Sequence, residues 1–199
     1  MLVYDCEIKK AILGKKNEAP IDGIEYCAGW HDHANMGISC ICAYDYDEDR
    51  YRIFLEDNLD DFADLAHNRE TLIGFNSIGF DNKLCLANGL EIPTDRDYDV
   101  LVEIWKAAGL GPEFRYPSHI GFGLDACLKA NFPGLQKSGN GALAPVLYQQ
   151  GQLGQVVDYC LNDVRLTKKL VDHIEQFGWI KDPRNPGNNL IVERPPVLS

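Results

Sequence analysis

The sequence predicts a mixed α/β fold, a single sheet with helices packed on it, and three observations carry that prediction. Strand-like segments rich in β-branched and aromatic residues come first, strand-like and helix-like segments then alternate, and the longest helical pattern comes last. The chain has 199 residues, 45% hydrophobic and 25% charged, which is the balance and length of one well-buried domain. That domain is expected over residues 1–180, with an extended tail over 181–199.

Leu2 to Ile8 is an apolar run that reads as a strand. A connection from Lys9 to Met36 follows, long enough to be either functional or partly structured. Gly37 to Tyr46 and Tyr51 to Leu55 flank the polar turn from Asp45 to Arg50, which predicts a hairpin pairing with the first strand. Leu59 to Ala66 carries apolar residues at helical spacing behind Asn58 as a cap, and Thr71 to Phe75 reads as a short buried strand. A helix is expected from Phe80 to Asn88 with Gly89 as its stop, and another from Asp99 to Ala108. Gly109 to Gly123 is a Gly/Pro-rich loop, Leu124 to Ala130 a short helix, and Gly134 to Gly141 a second loop. Leu143 to Gln149 and the long Gln155 to Phe177 complete the helices, and no internal repeat is present.

Met1 leads directly into the first apolar strand, and no stretch approaches the roughly 18 apolar residues of a membrane span. A cytoplasmic protein without membrane contact is expected. Seven cysteines, an odd number, lie mostly in apolar segments and lack Cys-x-x-Cys spacing, which suits buried free thiols in a reducing compartment. The formal charge is −11, from 19 basic and 30 acidic residues. That excess argues against a module that grips phosphate backbones with clustered Lys and Arg. It argues less against a metal enzyme, because divalent ions in an acidic cleft reverse the local electrostatics.

Three short stretches carry the candidate chemistry. In the first strand, Asp5 and Glu7 lie two apart and so share a face with Val3, while Leu2, Tyr4, Cys6 and Ile8 face the other way. Two like charges side by side are costly on a central strand unless a cation relieves them; on an edge strand both would simply face water. In the long helix, Val156, Cys160, Val164, Thr167, Val171 and Ile174 form an apolar face opposite Asp158, Asn162, Arg165, Lys168, Lys169 and Asp172. Asp163 falls on the apolar side, with Tyr159 one turn earlier on the same edge. A nearby backbone group or arginine satisfying Asp163 is the competing reading. The middle stretch puts Asn76 after a strand, and Phe80 and Asp81 at a helix start, where the helix dipole alone favours an acid.

Taken together and in this order, the stretches resemble the DEDD superfamily of 3′–5′ exonucleases, over about residues 2–175. Asp5-x-Glu7 matches the first motif, Asn76-x-x-x-Phe80-Asp81 the second and Tyr159-x-x-x-Asp163 the third. The last form marks the tyrosine branch, whose proofreading domains in family B DNA polymerases look most similar. The histidine branch would need His where this chain has Asp158. The resemblance implies an RNase H-like fold, which the element order also suits, and hydrolysis of nucleic acid from its 3′ end. It implies two divalent cations, Mg²⁺ or Mn²⁺, with Asp5, Glu7 and Asp163 at one, Asp5 and Asp81 at the other, and Tyr159 orienting the attacking water. Asn76, Phe80 and Ile8, the residue just after the first motif, would meet the terminal nucleotides. Single-stranded DNA is the expected substrate, with RNA left open, and a recruiting protein partner is a further expectation for so acidic a chain. The alternative is a catalytically inactive member of the same fold that binds nucleic acid or protein.

Two departures from the resemblance stand out. No polymerase region accompanies the motifs, and the connection over residues 9–36 is longer than the turn usual after the first motif. That insertion is expected to set substrate choice. Elsewhere, His31-Asp32-His33 reads as a polar loop rather than a metal site, and Arg115, Tyr116 and Lys137 with Ser138-Gly139-Asn140-Gly141 as a candidate substrate rim or an ordinary solvated loop. Trp105, Phe122 and Trp179 read as core.

Overall fold

A computed structural model describes residues 1–13, 19–135 and 141–196 of the chain. Alternation along β1 (Leu2–Ile8) sets the layering, because its even-numbered side chains enter one core and Val3 enters the other. The connection after it is partly structured. β2 (Ala11–Ile12) pairs in parallel with β3 (Tyr26–Cys27), and the short α1 (His33–Met36) closes the segment. β4 (Ile38–Asp45) and β5 (Arg50–Phe54) form the expected antiparallel hairpin beside β1.

Asn58 precedes α2 (Leu59–His67) but does not cap it. Its Oδ1 accepts from the Leu55 N–H at 2.6 Å, so the side chain closes the preceding turn instead. β6 (Leu72–Gly74) runs parallel to β1, and α3 (Asp81–Ala87) stops where predicted, with Gly89 at φ +82° and the Leu90 N–H returning to the Cys85 carbonyl at 2.9 Å. The sequence reading missed β7 (Asp97–Asp99), a strand of only three residues, two of them acidic, that pairs with β6. Asp99 belongs to that strand and to the N-cap of α4 (Val100–Ala107) rather than to the helix.

The remaining helices are α5 (Leu124–Asn131), α6 (Ala144–Gln149) and α7 (Leu153–Phe177), which starts two residues before its predicted beginning. The expected extended tail is instead a hairpin, β8 (Trp179–Asp182) and β9 (Asn185–Ile191), and Lys181 lies inside its first strand. Ile180, Leu190 and Val192 bury their side chains in the core, and the Asn131 amide at the end of α5 clips both backbone groups of Lys181. In a segment otherwise rich in Pro and Asn, three scattered apolar residues give almost no periodic signal.

The five-stranded sheet has the order β5-β4-β1-β6-β7, so β1 is central, antiparallel to β4 and parallel to β6. α7 crosses one face, where Val156, Cys160, Val164 and Leu170 pack with Val3, Tyr44 and Ile73. α2 and α3 cover the other through Phe62, Ala66, Leu84 and Cys85 against Leu2, Tyr4, Ile41 and Leu72. Trp105 and Phe122 are buried in the first core, as expected, while Trp179 is only partly covered. All seven cysteines are free and buried, and no described helix is long and apolar enough to cross a membrane.

Candidate active site

Because β1 is central and α7 packs across it, Asp5 and Glu7 face Asp163 across the gap between sheet and helix. One carboxylate oxygen from each of the three lies within 4.8 Å of the others. Glu7 and Asp163 are buried, at 8% and 4% exposure, and Asp5 is partly open. Just past Glu7 the pairing of β1 with β4 slips by one residue, leaving Ser39 as a bulge beside the acids.

Asp81 starts α3 and reaches β1 from the opposite face. Its Oδ1 accepts from the Cys6 N–H at 3.0 Å, so it is held beside Asp5 but outside the group of three. Burial first, and then the Asp5 carboxylate, push Asp81 well above the ordinary carboxylate range, against that hydrogen bond. The donor set is entirely carboxylate oxygen, the chemistry that hard divalent ions take. An octahedral Mg²⁺ with bonds of about 2.1 Å separates its ligands by about 3.0–4.2 Å, so the three acids fit one such ion with little movement.

Tyr159 lies one turn before Asp163 and lines the same cleft. A Cβ at Gly141 would come within 3.2 Å of its hydroxyl, a contact tight enough to press on the ring.

Two clefts meet at the acids. One, of about 410 Å³, runs past Glu7, Ile8, Ile12 and Tyr159; the other, of about 800 Å³, runs past Asn76, Trp105 and Phe114. Asp5, Asp163, Trp30 and Phe80 line both. Trp30 comes from the long connection, is 67% exposed, and meets Phe80 edge-on at 6.0 Å, with His33 on the same ring at 5.6 Å. The connection is clipped in place at both ends of this arch: the Asn88 amide bonds the His33 carbonyl, and the Gln149 amide bonds Lys9 and Glu25 backbone groups.

No family model matches the chain, and no curated protein matches it. Among solved structures 56 chains match. One is the family B DNA polymerase of the hyperthermophilic archaeon Pyrobaculum calidifontis, with a TM-score of 0.53 and 17% identity over 87% of this chain and 24% of that one. The likeness is one of fold. The chain spans about a quarter of that polymerase.

Of the residues singled out from the sequence, Asp5, Glu7, Ile8, Asn76, Phe80, Tyr159 and Asp163 line the two clefts, and Asp81 touches β1 behind them. The His31-Asp32-His33 triplet leads into α1: His31 lines the larger cleft, Asp32 accepts from the Ala28 N–H and the Asn35 amide, and His33 is the first residue of the helix. Arg115 and Tyr116 are exposed, and from their loop it is Phe114 and His119 that reach the larger cleft. Lys137, Ser138, Gly139 and Asn140 lie outside the described residues.

Sequence reading missed Trp30 and Asp99. Trp30 had no periodic context, although a lone tryptophan in a polar connection is itself a signal. Asp99, 2% exposed, accepts from the backbone N–H groups of Asn76 and Ile78 at 2.9 and 3.0 Å and also caps α4 through Leu101. It thereby holds Asn76 at φ +70°, with the Asn76 side chain lying over Gly79.

A second buried chain of polar groups links Tyr4 to Asn82 and Asn82 to Asp97 behind α3. Burial pushes the Asp97 carboxyl up to about 6 from 3.8. A raised folded-state value means that the native protein keeps a proton the unfolded chain releases. This contribution is fully present below about 3.8 and is lost as pH rises through about 6. Asp97→Asn keeps an acceptor for Asn82 and should flatten that part of the melting-temperature profile. A fall of wild-type size between pH 4 and 6 in the variant would assign it to another group.

Proposed function

We propose that this chain is a metal-dependent 3′–5′ exonuclease of the DEDD type, tyrosine branch, on an RNase H-like fold, acting on single-stranded DNA in a reducing, cytoplasmic setting. The observation that carries the proposal is the meeting of Asp5 and Glu7, from a central strand, with Asp163, from a helix far along the chain, within 4.8 Å at the junction of two clefts. Structural cost argues the same way, since three carboxylates in a partly dry gap repel one another and a hard cation lowers that repulsion.

Asp5, Glu7 and Asp163 would hold one divalent ion, and Asp5 with Asp81 a second. When bound, such ions lower the pKa of water and stabilise both the attacking and the leaving oxygen of phosphodiester hydrolysis. Tyr159 holds the attacking water with its hydroxyl at the cleft wall. Ile8, Phe80 and Trp30 present apolar surface to the terminal bases and keep bulk water from the reacting phosphate. With a formal charge of −11, the protein has little general attraction for phosphates, so stacking and metal contacts carry most of the affinity.

The test is a time course on 5′-labelled single-stranded DNA and RNA of one sequence with Mg²⁺ or Mn²⁺, using Asp5→Ala to control for contaminating nuclease. A ladder shortening from the 3′ end and absent in the variant is the expected result. No shortening of either strand, with binding retained, would replace this reading by the inactive binding module.

Tyr159→Phe should slow hydrolysis by about 10–100-fold and leave Mn²⁺ affinity unchanged. Gly141→Ala should act in the same direction, more mildly, because its methyl group presses on the Tyr159 hydroxyl. Loss of Mn²⁺ affinity in Tyr159→Phe would remove the tyrosine from the role of water holder. Trp30→Ala should weaken single-strand binding about tenfold, as stacking is worth roughly 1–3 kcal/mol per base. Measured by anisotropy with Ca²⁺ replacing Mg²⁺, an unchanged affinity would leave Trp30 outside the substrate path.

A further inference from the structure

Cys40 and Cys42 stand two apart on β4, opposite Glu7 and Asp5 on β1, so these four side chains share the face that α7 covers. Cys160 descends onto that face from α7, three residues before Asp163. The three sulfur atoms lie within 4.8 Å of one another, and all three residues are completely buried. A single buried cysteine is ordinary core packing. Three that converge from a strand and a helix form a ligand set.

Sulfur bonds of about 2.3 Å in a planar three-coordinate complex separate the sulfurs by about 4.0 Å, so the trio needs only small side-chain adjustments to close on one ion. Thiolates select soft ions, and structural Zn²⁺ takes four ligands where this group supplies three. We propose that Cys40, Cys42 and Cys160 bind one thiophilic d¹⁰ ion, with Cu⁺ the best fit, beside the hard-oxygen cluster of Asp5, Glu7 and Asp163. The two adjoining triads thus sort metals by softness. Ligation releases the thiol protons to solvent. It also removes the Cys160 S–H donor that now reaches the Asp5 carbonyl at 3.3 Å and the Asp5 carboxylate at 3.6 Å. Occupancy therefore disturbs Asp5 and, resting on the exonuclease reading above, inhibits hydrolysis.

The full-length protein is titrated anaerobically with Cu⁺ against a chromogenic Cu⁺ chelator, and separately with Zn²⁺, without any nucleic acid. Expected is one tightly held Cu⁺ in wild type, lost in Cys42→Ala with the circular dichroism spectrum unchanged. Binding should persist in Cys85→Ser, which breaks the other close thiol pair, Cys6 and Cys85 at 3.9 Å. Should Cys42→Ala fail to fold, Cys40→Ala serves in its place. No Cu⁺ held against the chelator, retention in the Cys42 and Cys40 variants, or loss in Cys85→Ser would overturn the assignment; so would exclusive binding of Zn²⁺. Stoichiometry needs no turnover, so the site stands or falls independently of the nuclease. If hydrolysis is present, Cu⁺ should suppress it in wild type and spare it in Cys42→Ala.

Discussion

Replacing Asp163 or Asp5 with alanine should reduce 3′-end hydrolysis by at least a thousandfold, about 4 kcal/mol of transition-state stabilisation, without lowering the stability of the metal-free protein. Each substitution removes one carboxylate from a group that brings three oxygens within 4.8 Å. The same substitution removes one of three mutually repelling charges, and Asp163 is 4% exposed, where that repulsion is least screened. Activity and apo stability are therefore expected to move in opposite directions, a pattern that ordinary damage to the core does not produce. Mn²⁺ should raise the wild-type melting temperature, and this rise should disappear in both variants. Wild-type activity in either variant would remove that residue from the catalytic set. A melting temperature reduced by several degrees would show that the acid has a structural role instead.

Asp99→Ala should be strongly destabilising, by roughly 3–5 kcal/mol, or about 10 °C in melting temperature for a chain of this size. Its carboxylate accepts from Asn76, Ile78 and Leu101, with a longer contact to Val102, and truncation leaves those donors, the last two of them buried, without this acceptor. Two of them belong to the turn that carries Asn76 and Phe80 to the cleft, and the other two begin α4. Burial raises the Asp99 carboxyl while its four donors pull it back down. Asp99→Asn retains one acceptor and should lose about half as much. Thermal unfolding of both variants, followed by hydrolysis assays well below their melting temperatures, separates the two consequences. Full stability in Asp99→Ala would mean that water or another side chain takes over the four donors. Normal stability with reduced activity would make the residue a positioning residue for the turn alone.

Part of the geometry of this candidate site is legible in the sequence, because its signals are local. Period two in Leu2 to Ile8 states which side chains share a face, and the apolar stripe of α7 exposes Asp163 as the acid out of place. Those patterns do not depend on the rest of the chain, and both hold in the structure. β7 escaped notice because a strand of three residues with two aspartates has too little length and too little apolar content to show a period. The hairpin after α7 escaped for the same reason, since its hydrophobic residues acquire meaning only against α4 and α5.

By itself, then, the sequence determined the alternation, the helix faces and the face of its element on which each acid lies, because each follows from backbone geometry acting over a few residues. Tertiary structure alone decided that Asp5 and Asp163 meet, that Asp81 approaches from the other side of the strand, and that Trp30 stands over Phe80. It alone gathered Cys40, Cys42 and Cys160, and gave Asp99 to the turn carrying Asn76. All of these join residues far apart in the chain. They arise when burial of two apolar faces brings α7 and α3 onto opposite sides of one central strand, and no local periodicity records which distant side chains such packing will place together.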